Sequence, residues 1–284
     1  MKYEKVSGFS DEIASDINTQ FKVLKKLGIK YFEPRGVDGK NISELSEEEA
    51  EKLYEKARSC GILASQIGSP IGKIKIGEDF GPHFKKFCNT VRIAKILKTK
   101  YIRIFSFFGS GEGAFREKER KEVLLRLEKM IDYAAAEGVV LLHENEKDIF
   151  GEKAAECLYL MEKLSCDNFG AVFDPANFVQ VGQDTKEAFS MLKPYIKYVH
   201  IKDAVSDTGA VVPAGMGNGN VEYILKDLFC GGFDGFLSLE PHLGSFVGLE
   251  NLEIGDAMKN IPSGGEGAFT VAANALDKIL EGIM

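Results

Sequence analysis

Two hydrophobic rhythms alternate along the chain. Short apolar runs rich in Val, Ile, Leu and Phe give way to longer stretches where apolar residues recur every three or four positions. The first rhythm is that of buried strands, the second that of helices with one face on a core. Strands are expected at 5–10, 29–33, 62–67, 101–108, 139–144, 170–174, 198–200 and 236–240. The first helix carries Ile17, Phe21, Leu24 and Leu27 on one face, is capped by Ser10 or by Ser15-Asp16, and stops at Gly28. Further helices are expected at 47–59, 82–97, 119–136, 153–164, 185–192, 221–229 and 265–283. Connections are short, with no linker or low-complexity tract, so the alternation implies a parallel sheet with right-handed crossovers. Eight such units in 284 residues favour a closed (β/α)₈ TIM barrel, which needs roughly 250 residues, as one domain spanning 1–284. An open dinucleotide-binding sheet is disfavoured by the missing GxGxxG after the first strand.

The last four strands share a second pattern. Each apolar run ends on a possible metal ligand: Glu144, Asp174, His200 and Glu240, which lie 30, 26 and 40 residues apart. In a parallel barrel the C-terminal strand ends form the active-site face, so these four converge. Taken singly, an acid at a strand end is a helix cap or an ion pair. Four on consecutive strands would repel one another strongly unless a cation or protons neutralise them. Three carboxylates and one imidazole suit Mn²⁺, with Co²⁺, Mg²⁺ or Zn²⁺ as alternatives. Asn145, Glu146, Asn177, Lys202 and Asp203 follow these residues closely enough to support the site or bind substrate. His143 alternates to the opposite face and is expected to be structural. His83 is read as a surface or capping residue, and His242 as a rim contact or a surface residue.

The first half of the chain adds candidates for substrate binding. Glu33 and Arg35 leave the second strand and either face the pocket or form a rim salt bridge. The loop Gly68-Ser-Pro-Ile-Gly-Lys73 lacks Walker spacing and reads as a loop over a pocket with Lys73 pointing in. Arg103 alternates with apolar neighbours, costly to bury alone, and is an interior ion pair or a substrate clamp. A glycine-rich loop (Gly109, Gly111, Gly113) follows, and the stretch 246–267 is expected to be a lid or a dimer contact.

Composition narrows the function classes. A net charge of −7 and pI near 5.4 argue against a phosphate-backbone binder. Apolar runs fall far short of a membrane span, and the N-terminal residues lack the apolar core of a signal peptide. Five scattered cysteines without CxxC are expected to be reduced thiols in a cytoplasmic protein.

The strand ends His-Glu144-Asn-Glu, Phe-Asp174-Pro-Ala-Asn-Phe, Val-His200-Ile-Lys-Asp and Leu-Glu240-Pro resemble the xylose isomerase-like TIM-barrel superfamily. The resemblance also takes in Asp11-Glu-Ile, Tyr31-Phe-Glu-Pro-Arg-Gly and the 68–73 loop, and within the superfamily it leads to the sugar-phosphate isomerase/epimerase group that includes ketose 3-epimerases. It implies that Glu144 and Glu240 bind the metal and exchange protons with the substrate, with Asp174 and His200 as the other ligands. A divalent ion chelating a ketone and a neighbouring hydroxyl stabilises an enediolate, while two carboxylates serve as general base and acid. No organic cofactor is needed. Several ketose epimerases carry a histidine where this chain has Asn177, so the resemblance does not extend to those enzymes' particular substrate contacts.

The expected activity is a metal-dependent isomerase or epimerase of a small sugar or related keto compound. A dehydratase of a keto-inositol or dehydroshikimate would use the same ligands and the same chemistry with loss of water. A zinc endonuclease of this superfamily needs a histidine-rich site, and this chain has four histidines and an acidic balance. A non-catalytic metabolite-binding barrel would more often have lost a ligand. Small molecules are the expected partners, not nucleic acid or membrane; self-association, phosphorylation of the substrate and the native metal stay open.

Overall fold

The computed structural model describes residues 3–111, 115–164, 166–243 and 264–284. Among them, eight strands alternate with eight principal helices: β1 (Val6–Gly8), α1 (Ile17–Lys26), β2 (Tyr31–Phe32), α2 (Glu47–Cys60), β3 (Leu63–Ala64), α3 (Phe80–Ile96), β4 (Tyr101–Ile104), α4 (Glu117–Ala136), β5 (Val140–Glu144), α5 (Ala154–Leu164), β6 (Phe169–Phe173), α6 (Thr185–Leu192), β7 (Ile196–Ile201), α7 (Val221–Cys230), β8 (Phe236–Leu239) and α8 (Gly265–Ile283).

Strands β4, β5, β6, β7, β8 and β1 form one parallel sheet in that order, and β2 pairs in parallel with β3. Single backbone bonds join the two pieces. Glu33 N donates to Gly8 O (2.8 Å), Ile67 N to Tyr101 O (2.9 Å) and Arg103 N to Ile67 O (3.0 Å). The ring closes as a TIM barrel. Several expected strands end early for local reasons. Pro34 has no N–H to extend the β2 ladder. Residues 105–108 leave the barrel to pair with the loop before α3, Phe105 N donating to Ile71 O and Phe108 N to Ile74 O.

Helix boundaries follow their caps. Asp16 rather than Ser10 caps α1, accepting from Thr19 N. Ser46 and Glu49 form a reciprocal capping box on α2, which ends at Gly61 with φ 70°, a left-handed conformation suited to glycine. A short helix, Pro175–Gln180, was not expected; Asp174 caps it by accepting from Asn177 N, and Pro175 occupies its first turn.

Strand alternation sorts the core into two layers. Outward residues such as Ile104, Leu141, Phe173, Val199 and Leu239 join the large cluster beneath the helices, while Leu142, Val172 and Tyr198 form a separate interior floor. Moving two residues along from each floor residue reaches Glu144, Asp174 and His200. The site is therefore the next inward layer of the same strands.

The expected lid or dimer segment at 246–267 lies almost wholly outside the described residues, as does Gly113. All five cysteines are free. Among the described residues, no helix is long and apolar enough to cross a membrane.

Candidate metal centre

Glu144 is the last residue of β5, Asp174 follows β6, His200 lies within β7 and Glu240 follows β8. One donor atom from each lies within 4.8 Å of the others. His200 Nδ1 is 2.9 Å from Glu144 Oε1, 3.6 Å from Glu240 Oε2 and 4.0 Å from Asp174 Oδ2. All four side chains are buried beneath the barrel mouth, Glu240 being the most exposed at 3%.

Two basic side chains enter the cluster. Lys202 Nζ lies 3.0 Å from Asp174 Oδ2 and 2.9 Å from Glu240 Oε2. Arg103 Nη1 lies 3.0 Å from Glu144 Oε2 and 3.8 Å from Glu240 Oε1. Arg103 is thus the interior ion pair of the two alternatives read from the sequence. Its guanidinium also lies over the Phe9 and Phe105 rings.

The electrostatics follow from this crowding. Burial raises the Asp174 carboxyl to about 7, with Lys202 opposing and the Glu240 and Glu144 charges adding to the rise. Burial would raise Glu144 too, but His200 and Arg103 outweigh it and hold it at about 2. Glu240 is likewise held well below its ordinary value, against burial, by Lys202 and His200. Burial would discharge Lys202, yet Asp174 and Glu240 keep it protonated above its ordinary range.

The residues fit a divalent ion. Glu144 Oε2 and Asp174 Oδ2 are buried, and the Arg103 and Lys202 nitrogens 3.0 Å away make ion pairs without hydrogen-bond geometry, so both oxygens still have acceptor capacity for a cation. Oxygen donors with one imidazole nitrogen form a donor set suited to a hard or borderline dication.

Neighbouring residues hold the ligands in place. Asn145 Oδ1 accepts from Asp174 N (3.0 Å) while its Nδ2 donates to Asp174 O (2.9 Å), locking the ends of β5 and β6 together. Asn177 Nδ2 donates to Asn145 O (2.9 Å) and reaches Glu144 Oε1 at 3.4 Å. Arg35 binds Asp11 Oδ2 (2.8 Å) and Glu12 Oε1 (3.1 Å) and reaches Glu240 Oε1 at 3.3 Å. It is a rim salt bridge that also touches the site. Lys73 pairs with Glu146 at 2.8 Å and lies over the Phe105 ring.

Some expectations change. Glu33, read as a pocket residue, is fully buried, its carboxylate taken by Gln66 Nε2 (2.8 Å) and Tyr198 OH (2.9 Å). Asp203, read as substrate-binding, spends both oxygens on the backbone amides of Ala204, Gly215, Gly217 and Gly219 at 2.7–3.0 Å. A Cβ on Gly217 would stand 2.4 Å from Asp203 Oδ1, so this loop closes on the carboxylate only without a side chain there. Asp203 anchors the loop. His83 is half-buried and not a helix cap, a role taken by Asp79; its Nε2 accepts from Gly72 N at 2.8 Å. His143 points away from the cluster, as alternation required, and meets Ser106 Oγ at 2.9 Å.

Sequence reasoning missed Glu12, whose Oε2 accepts from His242 N at 2.7 Å and whose Oε1 lies 3.2 Å from His242 Nε2. Burial and the Glu240 charge raise Glu12 to about 7 despite Arg35. It also missed the polar interior formed by Gln66 and Tyr198. Tyr198 had a usable signal, since it stands two residues before His200 on the same face.

Comparison with known proteins gives low identities on a shared architecture. A curated 3-dehydroshikimate dehydratase from Bacillus anthracis is 23% identical over 163 residues, which is 57% of this chain and 56% of that protein; the matched stretch spans little more than half of that relative. The structure of L-ribulose 3-epimerase superimposes with a TM-score of 0.74 at 19% identity, covering 98% of this chain and 95% of that one. The IOLI protein, solved with a zinc atom, gives a TM-score of 0.76 at 17% identity, covering 99% of both chains. The family profile described as xylose isomerase-like TIM barrel matches residues 21–261. Together with the closed eight-stranded ring, that match means the chain belongs to the xylose isomerase-like TIM barrel family.

Proposed function

We propose that the protein is a divalent-metal-dependent enzyme that moves a proton beside a carbonyl of a small sugar or related keto compound, as an isomerase or epimerase. One observation carries this reading: four donor atoms from consecutive barrel strands lie within 4.8 Å of one another in a buried site. Glu144, Asp174, His200 and Glu240 would hold the ion, with Mn²⁺ favoured and Co²⁺, Mg²⁺ or Zn²⁺ as alternatives. When bound, the ion would stabilise the negative charge that builds on oxygen as the neighbouring carbon loses its proton.

The chain's own residues do the rest. Glu144 and Glu240 come from opposite ends of the β5–β8 arc, so one carboxylate can take a proton from the substrate and the other return it. Arg103 and Lys202 orient these carboxylates through the short ion pairs described above. Arg35, Lys73, Glu146 and Asn177 stand close enough to the mouth to contact a substrate. Burial of the ligands excludes bulk water, which strengthens each of these interactions. No organic cofactor is required, and the protein is expected to work in the cytoplasm.

A second reading, a dehydratase, is favoured by the similarity to 3-dehydroshikimate dehydratase. It uses the same proton abstraction followed by loss of a hydroxyl as water from the adjacent carbon. Incubation in D₂O with Mn²⁺ and a panel of ketoses and keto acids separates the two. Deuterium entry with an isomeric product supports the first reading. Product lighter by one water supports the second. Neither deuterium entry nor dehydration with any substrate, in protein that binds metal, would contradict both.

A further inference from the structure

The two ring nitrogens of His200 face different surroundings. Nδ1 points at the ligand cluster, 2.9 Å from Glu144 Oε1. Nε2 points into the barrel, where it has no hydrogen-bond partner and Glu33 Oε1 lies 3.4 Å away. Glu33 is shut off from the mouth, and its other neighbours belong to a polar chain inside the barrel. Gln66 Nε2 and Tyr198 OH donate to it, Tyr198 OH meets Ser65 Oγ at 2.9 Å, and Ser65 Oγ meets Ser7 Oγ at 2.6 Å. The His200 ring is held edge-on to Phe9 (5.1 Å between centroids, 75°) and to Tyr198 (5.8 Å, 89°). It has little room to turn over.

A neutral imidazole can offer Nδ1 to a cation only when its proton sits on Nε2. We propose that Glu33 is the positioning residue of this centre: its carboxylate accepts the Nε2 proton and so selects the tautomer whose Nδ1 lone pair faces the ion. The proposal rests on the reading that the four strand-end residues hold a metal. It gives Glu33 a role toward His200 instead of toward a substrate. Gln66 and Tyr198 take part by holding the carboxylate beneath the ring.

The test is histidine ¹⁵N NMR of the zinc-loaded protein, with calorimetric zinc titration of wild type, Glu33→Gln and His200→Ala. Only four histidines contribute, so the His200 signals are assigned by their loss in His200→Ala. Wild type is expected to show protonated Nε2 and metal-shifted Nδ1. Glu33→Gln keeps the size and still accepts from Tyr198, but its amide can present N–H to the ring. It should weaken zinc about 10–100-fold, in the range seen when residues behind metal ligands are changed, and perturb the His200 ¹⁵N pattern.

Unchanged zinc affinity and an unchanged His200 pattern in folded Glu33→Gln would overturn the proposal while leaving the metal centre standing. A wild-type His200 protonated on Nδ1 would overturn it even if the variant fails to fold. A wild type that binds no zinc, or a His200→Ala that binds as wild type does, would overturn the metal-centre reading, and this proposal with it.

Discussion

Strands β5 to β8 are four to six residues long and pair in parallel, with one register shift at Ala171/Val172 before the strand ends, while β1 to β3 are two or three residues long. All four candidate ligands come from the first group. From the shorter strands and β4 come Glu33 behind His200, Arg103 against Glu144 and Arg35 against Glu240, which join Lys202 and Asn145 from the ligand-bearing strands themselves. Convergence of donor atoms needs neighbouring strands in register, which long ladders supply. Orienting charges can be delivered on shorter, irregular backbone, because a long arginine or a buried carboxylate bridges the remaining distance. The ligands and the groups that orient them therefore fail differently when disturbed.

The strongest contrast should come from Glu240→Gln. Loss of one proton-transferring carboxylate is expected to lower the exchange rate by about 10²–10⁴-fold. The fold should survive, because Lys202 retains Asp174; circular dichroism and turnover of the same sample check both halves of this statement.

Arg103→Met probes the orienting half. It leaves the buried Glu144 without its guanidinium, and breaking a buried pair from one side costs about 3–5 kcal/mol. Urea unfolding of the metal-free protein should show a loss of that size, and Mn²⁺ should restore part of it by supplying the missing positive charge. A loss undiminished by Mn²⁺ would mean that Arg103 serves packing rather than charge.

Lys73→Ala is milder. Its pair with Glu146 is partly exposed, and such pairs contribute about 0–1 kcal/mol. Stability should hardly change, whereas KM should rise with kcat nearly intact if the loop meets substrate.

A separate effect is expected from pH at His83. Burial, helped by Lys86 and Arg126, lowers its pKa from 6.5 to about 4, and the neutral ring accepts from Gly72 N. Its contribution is full above 6.5, the value in the unfolded chain, and falls away as pH drops through the window to about 4. His83→Gln should flatten that part of the stability curve, read from urea midpoints at pH 7 and pH 5.

The same division explains what could be read from the sequence. Glu144, Asp174, His200 and Glu240 were visible because a long apolar run ending in an acid or imidazole is a local pattern, and helices α6 and α8 were visible because their periodicity is strong. The partner of Arg103 was not visible, since it depends on how two strands 41 residues apart (103 and 144) sit in the barrel. Glu33 faces inward because Phe32 before it packs outward on Phe21 of α1, but its partner Gln66 comes from beyond the next strand. Asp203 belongs to a loop whose amides return from twelve to sixteen residues further on. No local pattern of polarity announces that return.

The central claim is that the four strand-end residues hold one divalent ion. Calorimetric titration of the metal-free protein with Mn²⁺, alongside Asp174→Asn and His200→Ala, addresses it most directly. A single ion per chain, bound at least ~100-fold more weakly by each variant, a loss no smaller than that for residues behind metal ligands, is the predicted result. No saturable binding by the wild type, or wild-type affinity in both variants, would contradict the account.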